Sequence, residues 1–307
     1  MRTAFVEQLC ALAEADERIW LLTGDLGFSV LERFADAFPQ RFVNAGVAEQ
    51  NMIGVAAGLA LSGKVPFVYS IANFPVMRCL EQIRNDVCYH GLDVKVVSVG
   101  GGMVYGSQGY THHGVEDIAV MSALPGMSVL APADPVEAAW AATAAVDRSG
   151  PVYVRLGKAG DPVLHSSPPQ LEFGRAVTVR EGADATLVST GAALRIALEA
   201  ASELESRGVH ARVLSMPTVK PVDVEALTRA ATDTPLVVTI EEHGPVGGLY
   251  SAVLEVIAPL RAAVCVRVAL ADEPAPMAGS CAYLSERSGL DPHSVAKTVL
   301  SLVGGKA

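Results

Sequence analysis

The sequence has no run of lysine and arginine and carries little charge of either sign. Charged residues make up 18% of its 307 positions, and the formal net charge is −10. A surface of that sign repels phosphate backbones and anionic headgroups, which excludes nucleic acid and membrane surfaces as partners. A few placed cations could still hold one phosphorylated small molecule. The five cysteines, Cys10, Cys79, Cys88, Cys265 and Cys281, are odd in number and contain no C-x-x-C pair, so a zinc site has no support and buried free thiols are expected. No apolar run reaches the ~20 residues that span a bilayer. The longest, around Ile53–Leu61, is interrupted by Gly54 and Gly58 and reads as a buried helix. Met1–Asp16 lacks the basic, apolar and small-residue order of a signal peptide, which favours the cytoplasm. Low-complexity tracts and residue-level repeats are also missing.

Half of the residues are apolar, and the mean hydropathy of +0.35 implies a chain that buries much of itself, part of it against other subunits. The apolar residues fall into short β-branched runs alternating with amphipathic stretches. Ile19–Thr23, Arg41–Asn44, Val65–Tyr69, Val94–Val99, Met127–Leu130 and Val152–Leu156 read as strands, and Phe5–Ala15, Ala48–Leu61, Val76–Tyr89 and Pro135–Val146 as helices. Near-continuous apolar strands in a βαβ rhythm predict a parallel sheet covered on both faces. Periodicity is lost over Gly157–Ser167, before Pro168–Pro169, which places a domain boundary there. A second α/β series follows, with strands near Thr186–Thr190, Val209–Leu214, Pro235–Glu241 and Val264–Val268. Its helices are expected near Leu194–Arg207, Val222–Thr232, Leu249–Ile257 and Pro292–Val303. The expected fold is α/β with two doubly wound domains, residues 1–165 and 166–307.

The densest segment is Asn44-Ala-Gly-Val-Ala-Glu49-Gln-Asn-Met-Ile-Gly-Val-Ala-Ala-Gly. A strand ends, the chain turns, and a helix opens with Glu49 in its first turn. An acid there can simply complement the helix dipole. It also follows the carboxyl end of a strand, where open α/β sheets place their ligands. A second candidate is the glycine-rich loop from Gly100, in which five glycines precede Thr111-His112-His113. Such a backbone can approach a ligand closely.

These segments, taken in order, resemble the transketolase family. The resemblance runs from Gly24-Asp-Leu-Gly-Phe-Ser29 through Phe38-Pro-x-Arg-Phe42, Ala48-Glu-Gln-Asn-Met52, Phe74-x-x-x-Arg78, Gln82-Ile-Arg84 and Thr111-His-His113. It continues through Glu116-Asp-Ile118, Leu124-Pro-x-Met127 and Pro132-Ala-Asp134. In the second half it takes in Ser189-Thr-Gly191, Lys220-Pro221 and Glu241-Glu-His243 with Gly247-Gly248. Each motif is short, but the ordered set covers nearly the whole chain. It implies a pyrimidine-binding domain followed by a transketolase C-terminal domain.

The resemblance implies thiamine diphosphate as cofactor. It gives Glu49 the role of hydrogen-bonding ring N1′ of the aminopyrimidine, so that the 4′-nitrogen can take the thiazolium C2 proton. That demands a carboxyl in a water-poor pocket. Phe74 is implied as the platform under the aminopyrimidine, although an ordinary core aromatic is the alternative. Arg78 belongs to the same cofactor motif. Asp25 matches a family acid near the cofactor, with a helix N-cap as the equal alternative. His112 is implied as the substrate histidine, His113 as a second one, and Arg2, Ser29 and Arg155 as a grip on a substrate phosphate. A frayed N-terminal arginine and a surface ion pair are the plain readings of Arg2 and Arg155. Gln108 stands where sugar-using relatives usually have an acid that reads a substrate hydroxyl, so ordinary pentose phosphates are in question.

The family's Gly-Asp-Gly element and the asparagine that follows it, which hold Mg²⁺ on the diphosphate, have no counterpart; Gly24-Asp25 continues with Leu26. No metal ligand is therefore expected in this chain. The resemblance implies a split enzyme whose diphosphate and Mg²⁺ site lies on a separate N-terminal-type subunit, in an α2β2 heterotetramer. The expected activity is transfer of a two-carbon ketol unit from a ketose to an aldehyde. The alternatives are a 2-oxo acid dehydrogenase β chain, a 1-deoxyxylulose-phosphate-synthase-like fragment and a noncatalytic scaffold subunit.

Overall fold

The computed structural model describes residues 1–158 and 160–303. Among the described residues twelve strands form two sheets: β1 (Ile19–Thr23), β2 (Phe42–Asn44), β3 (Val65–Ile71), β4 (Lys95–Val99), β5 (Ser128–Leu130), β6 (Val152–Leu156), β7 (Val177–Arg180), β8 (Ala185–Ser189), β9 (Ala211–Ser215), β10 (Thr218–Lys220), β11 (Leu236–Ile240) and β12 (Val264–Val268). The first sheet has the order β10-β5-β6-β4-β3-β1-β2 and the second β12-β11-β8-β9-β7. Two α/β domains result, as the patterning predicts.

Alternation along the strands explains why both faces are covered. In β3, Phe67 and Tyr69 enter one apolar cluster with Phe5 and Leu9 of helix Arg2–Ala15, while Val68 enters another with Met52 and Ile53 of helix Glu49–Leu61. In β1, Leu21 and Leu22 divide the same way. The second sheet repeats the arrangement, with Leu187 and Val213 on one face and Val188 and Leu214 on the other. A strand sandwiched between helices has no polar face to offer, hence its continuous apolar runs.

Besides the unexpected short helices Glu32–Ala37, Asp117–Ala123 and Cys281–Arg287, two strands and one helix depart from the expected pattern. β7 and β10 are short strands that pair antiparallel, β7 with β9 and β10 with β5. β10 lies in the second half of the sequence but completes the sheet of the first. Its Lys220 donates to the carbonyls of Ser122 and Leu124, each at 2.7 Å, at the end of helix Asp117–Ala123. A cation there satisfies carbonyls that the helix leaves open. The expected single helix Val76–Tyr89 is broken into Asn73–Met77, Leu80–Gln82 and a π-helical turn Ile83–Cys88. At the break, the free carbonyl of Arg78 accepts from Gln50 Nε2 at 3.0 Å, which ties it to the start of helix Glu49–Leu61. A π turn is common where a helix is shaped by a site.

Candidate active site

Glu49 is the first residue of its helix and is 4% exposed. Strand β2 ends shortly before it at Asn44, which pairs with Thr23 at the end of β1. Arg78 Nη1 donates to Glu49 Oε1 at 2.9 Å. The same guanidinium lies over the Phe74 ring, 4.2 Å from its centroid. The Phe74 ring in turn meets the His112 ring edge-on at 5.4 Å. Four side chains from three separate segments thus form one continuous series, Glu49, Arg78, Phe74 and His112. An open cleft of about 480 Å³ lies at the Glu49 end, lined by Val47, Gln50, Asn51 and Arg78 among others. A buried carboxylate beside a cation and an aromatic face fits a heteroaromatic ring that carries a basic nitrogen.

Asn73 Nδ2 donates to the Thr111 carbonyl at 3.3 Å, fastening the helix of Phe74 to the loop of His112. Thr111 Oγ1 lies 3.0 Å from His112 Nδ1, which leaves Nε2 as the outward ring nitrogen. Gln108 is exposed on the same loop, in a short 3-10 turn over Gly106–Gln108.

The Gly24–Ser29 loop is strained. Asp25 and Ser29 hold left-handed backbone, φ 56° and 64°, with Gly27 at 91° between them. For the non-glycine residues Asp25 and Ser29 this costs of order 1–3 kcal/mol each, and it persists where neighbours hold them. Asn44 does so, donating to Asp25 Oδ1 at 3.0 Å and accepting from the Asp25 amide at 3.1 Å. Glu32 accepts from the Ser29 amide at 2.7 Å. Asp25 does not cap a helix: the next one begins at Glu32, with Leu31 in the capping position.

Arg2 lies beside the buried Tyr69 hydroxyl. Burial pushes that phenol far above its usual range, and Arg2 pulls in the opposite direction. Arg2 Nε is buried with no hydrogen-bond partner. The strained loop passes close by, since a methyl group built on Gly27 would lie 3.3 Å from the Tyr69 ring. A cation that the motifs do not single out also reaches this corner. Lys158 is exposed, and its Nζ sits 5.8 Å from the centroid of Tyr105, another neighbour of Tyr69. Lys158 follows the end of β6 by two residues, the kind of strand-end position that signals Glu49, but the family likeness points to the neighbouring Arg155 instead.

Arg155 is placed differently from the expected phosphate grip. It is 5% exposed, and its Nε donates to Asp117 Oδ2 at 2.8 Å. Its Nη2 donates to the carbonyls of Gly114, at 2.7 Å, and Glu242, at 2.8 Å. Burial opposes the charge, but Asp117, Tyr153 and Glu242 together outweigh it and keep the guanidinium protonated. A methyl group on Gly101 would lie 2.5 Å from Arg155 Nε, so glycine is needed for this packing. Arg155 therefore stitches the two domains together from inside and is neither a surface ion pair nor an open ligand.

His113 also parts from its neighbour. It is 1% exposed and faces Tyr110 and the second domain, while His112 faces Phe74. Burial holds its imidazole below the ordinary histidine range. Among the described residues no group of three His, Cys, Asp or Glu side chains could hold a metal ion.

Two family models account for almost the whole chain: "Transketolase, pyrimidine binding domain" over residues 1–160 and "Transketolase, C-terminal domain" over residues 174–295. The chain is 39% identical to one of the subunits of an apulose-4-phosphate transketolase from Phocaeicola vulgatus, over 98% of its own length and 97% of the relative's. It is 38% identical to a 6-deoxy-6-sulfo-D-fructose transketolase subunit from a Clostridium species, over 97% and 92%. A solved split-gene transketolase, described as an inactive β4 tetramer, matches with a TM-score of 0.89 at 39% identity, covering 100% of this chain and 98% of that one. The transketolase of Campylobacter jejuni shares the fold, with a TM-score of 0.80 at 20% identity, over 97% of this chain but 46% of its own. The chain belongs to the transketolase family. Within it, the sequence and both domains are those of the β-type subunit of the two-chain enzymes.

Proposed function

We propose that this chain is the catalytic β-type half of a thiamine-diphosphate-dependent transketolase, moving a two-carbon ketol unit from a phosphorylated ketose to an aldehyde acceptor. The observation that carries the reading is the Glu49–Arg78–Phe74–His112 series at one end of the first sheet. Thiamine diphosphate, when bound, supplies the carbon chemistry that side chains lack. Glu49 would hold a proton at the pyrimidine's ring nitrogen, in a site screened from water. Phe74 offers a ring face for stacking. Arg78 neutralises Glu49 while the site is open and shifts aside to admit the cofactor. His112 presents Nε2 to substrate hydroxyls, and Gln108 reads the neighbouring position with an amide that both donates and accepts. Asp25, on the strained loop, stands beside the cofactor, and Arg2, Ser29 and Lys158 receive the phosphate end.

The partner is a separate subunit that brings the diphosphate and Mg²⁺ ligands, in an α2β2 assembly. In support, Val47 at the cleft is 75% exposed, Phe28 on the Gly24–Ser29 loop is 73% exposed, and helix Glu49–Leu61 leaves Gly54, Val55 and Gly58 uncovered. An apolar rim around a half-built site is what a partner covers. The five cysteines are free thiols, which suits the cytoplasm.

Reconstitution tests this. The chain mixed with its diphosphate-binding partner should transfer a ketol unit within a panel of phosphorylated ketoses and aldehydes, and neither chain should do so alone. Turnover by the purified chain without any partner would overturn it.

A further inference from the structure

Behind the His112 loop lies a cavity of about 200 Å³ between the two domains, which the proposed reaction does not use. Its apolar floor is made by Met103 and Val115 from the loop and Leu270 and Leu284 from the second domain. Met103 and Leu284 are each 2% exposed. His113 also lines it, and its Nε2 is buried with no hydrogen-bond partner. Glu273 and Arg287 line the same cavity and are exposed, so they stand at its open side. The Arg287 guanidinium rests over the Tyr283 ring, 5.8 Å from its centroid, rather than against a carboxylate.

An apolar floor, one unpartnered buried nitrogen and two opposite charges at the mouth define a narrow class of occupant. The volume falls below the ~300–1,000 Å³ of drug-sized pockets. A dianionic sugar phosphate would face Glu273 with no second cation, and a neutral hydrocarbon would leave both charges unused. A zwitterion with a short apolar tail matches the floor and both charges at once. We propose that this cavity is a binding site for a small apolar α-amino acid. The carboxylate pairs with Arg287 and the ammonium with Glu273, while the side chain lies on Met103, Val115, Leu270 and Leu284.

The site bears on catalysis because of what its wall carries. His113 follows His112 directly. The Gly279 amide donates to the Gly106 carbonyl at 3.2 Å, and a methyl group on Gly106 would lie 2.6 Å from the Gly279 oxygen, so the loop is seated tightly on the second domain. An occupant held by Arg287 and Glu273 of the second domain, with its side chain packed on Met103 and Val115 of the loop, restrains the loop and hence His112. This kinetic consequence rests on the proposed role of His112; the binding site itself does not.

The test uses L-leucine as probe, with binding to the full chain followed by saturation-transfer NMR and needing no turnover. Leucine should bind saturably. 4-Methylpentanoate, which lacks the ammonium, and 3-methylbutylamine, which lacks the carboxylate, should each bind at least about tenfold more weakly, as expected for loss of a charge-assisted contact. Arg287→Ala and Glu273→Gln should weaken leucine by a similar factor. Both positions are exposed, so the variants should fold. No saturable binding at millimolar leucine, equal binding of 4-methylpentanoate, or leucine binding unchanged in Arg287→Ala would each overturn the assignment. In the reconstituted enzyme, leucine should alter the acceptor KM with kcat unchanged. Binding without any change in KM would overturn the coupling to His112, whereas failure of ketol transfer itself would count against the proposed activity alone.

Discussion

Arg78 bonds the carboxylate of Glu49 at 2.9 Å while its guanidinium carbon sits over the Phe74 ring, 4.2 Å from the centroid, so one side chain covers both the acid and the aromatic surface proposed for the cofactor. Arg78 falls at the break between helices Asn73–Met77 and Leu80–Gln82, and the half-exposed side chain has room to move aside. The acid it covers is the group whose loss should be most costly.

Glu49→Gln keeps the shape of the side chain but cannot share a proton with a weakly basic ring nitrogen. In the reconstituted enzyme it should cut kcat by about 100-fold or more, the lower range for a lost proton-transfer group. Assembly should be unaffected. The check is the exchange rate of the C2 proton on bound cofactor; an unchanged rate would remove Glu49 from the mechanism.

Arg155→Ala should act on folding. It leaves the buried Asp117 with only the Tyr153 hydroxyl and no opposite charge, and frees the carbonyls of Gly114 and Glu242 inside the protein. Breaking a buried pair by removing one partner costs about 3–5 kcal/mol. Urea unfolding of the isolated chain measures it. A variant as stable as the parent, but with a raised KM for phosphorylated acceptors, would return Arg155 to the phosphate.

Lys158→Ala should instead leave stability alone and raise the KM for a phosphorylated acceptor. A lost charge-assisted hydrogen bond corresponds to roughly 1.5–3 kcal/mol, about 10- to 150-fold. A non-phosphorylated analogue should be affected little. Gln108→Asp should change the preference among acceptors that differ at the adjacent hydroxyl, because a carboxylate only accepts. Equal losses on phosphorylated and non-phosphorylated acceptors in Lys158→Ala would mean that Lys158 does not meet the phosphate.

His165 gives a pH dependence. Its Nε2 lies 2.9 Å from Glu137 Oε1, and the same oxygen accepts from Ser215 at 2.6 Å, joining the interdomain segment, the first domain and the second. Glu137 raises the histidine pKa above its ordinary value, against the opposing effect of burial. A folded-state pKa above the unfolded one means stabilisation that is complete below about pH 6.5 and lost as the pH rises through the folded value. Urea midpoints should therefore fall between mildly acidic and mildly alkaline pH, and His165→Gln should flatten that fall. An identical slope in the variant would assign it to other groups.

The sequence by itself determined the layered α/β architecture, because apolar periodicity is a local property and each buried strand writes its own run. Ile19–Thr23, Val152–Leu156, Leu249–Ile257 and Val264–Val268 were legible to the residue for that reason. The ordered motifs, read through their family likeness, also named Glu49, Phe74, Arg78 and His112, which the fold brings into one series. What local pattern could not carry was decided by distant partners. β10 is three residues long and has meaning only beside β5. The break at Arg78 depends on Gln50 taking its carbonyl. Arg155 and Lys158 lie three residues apart, and the family likeness named only Arg155 for a phosphate. Asp117, Gly114 and Glu242 converge on the first and leave the second exposed, and that difference between a tie inside the protein and a hand held out to solvent exists only once the two domains have closed on each other.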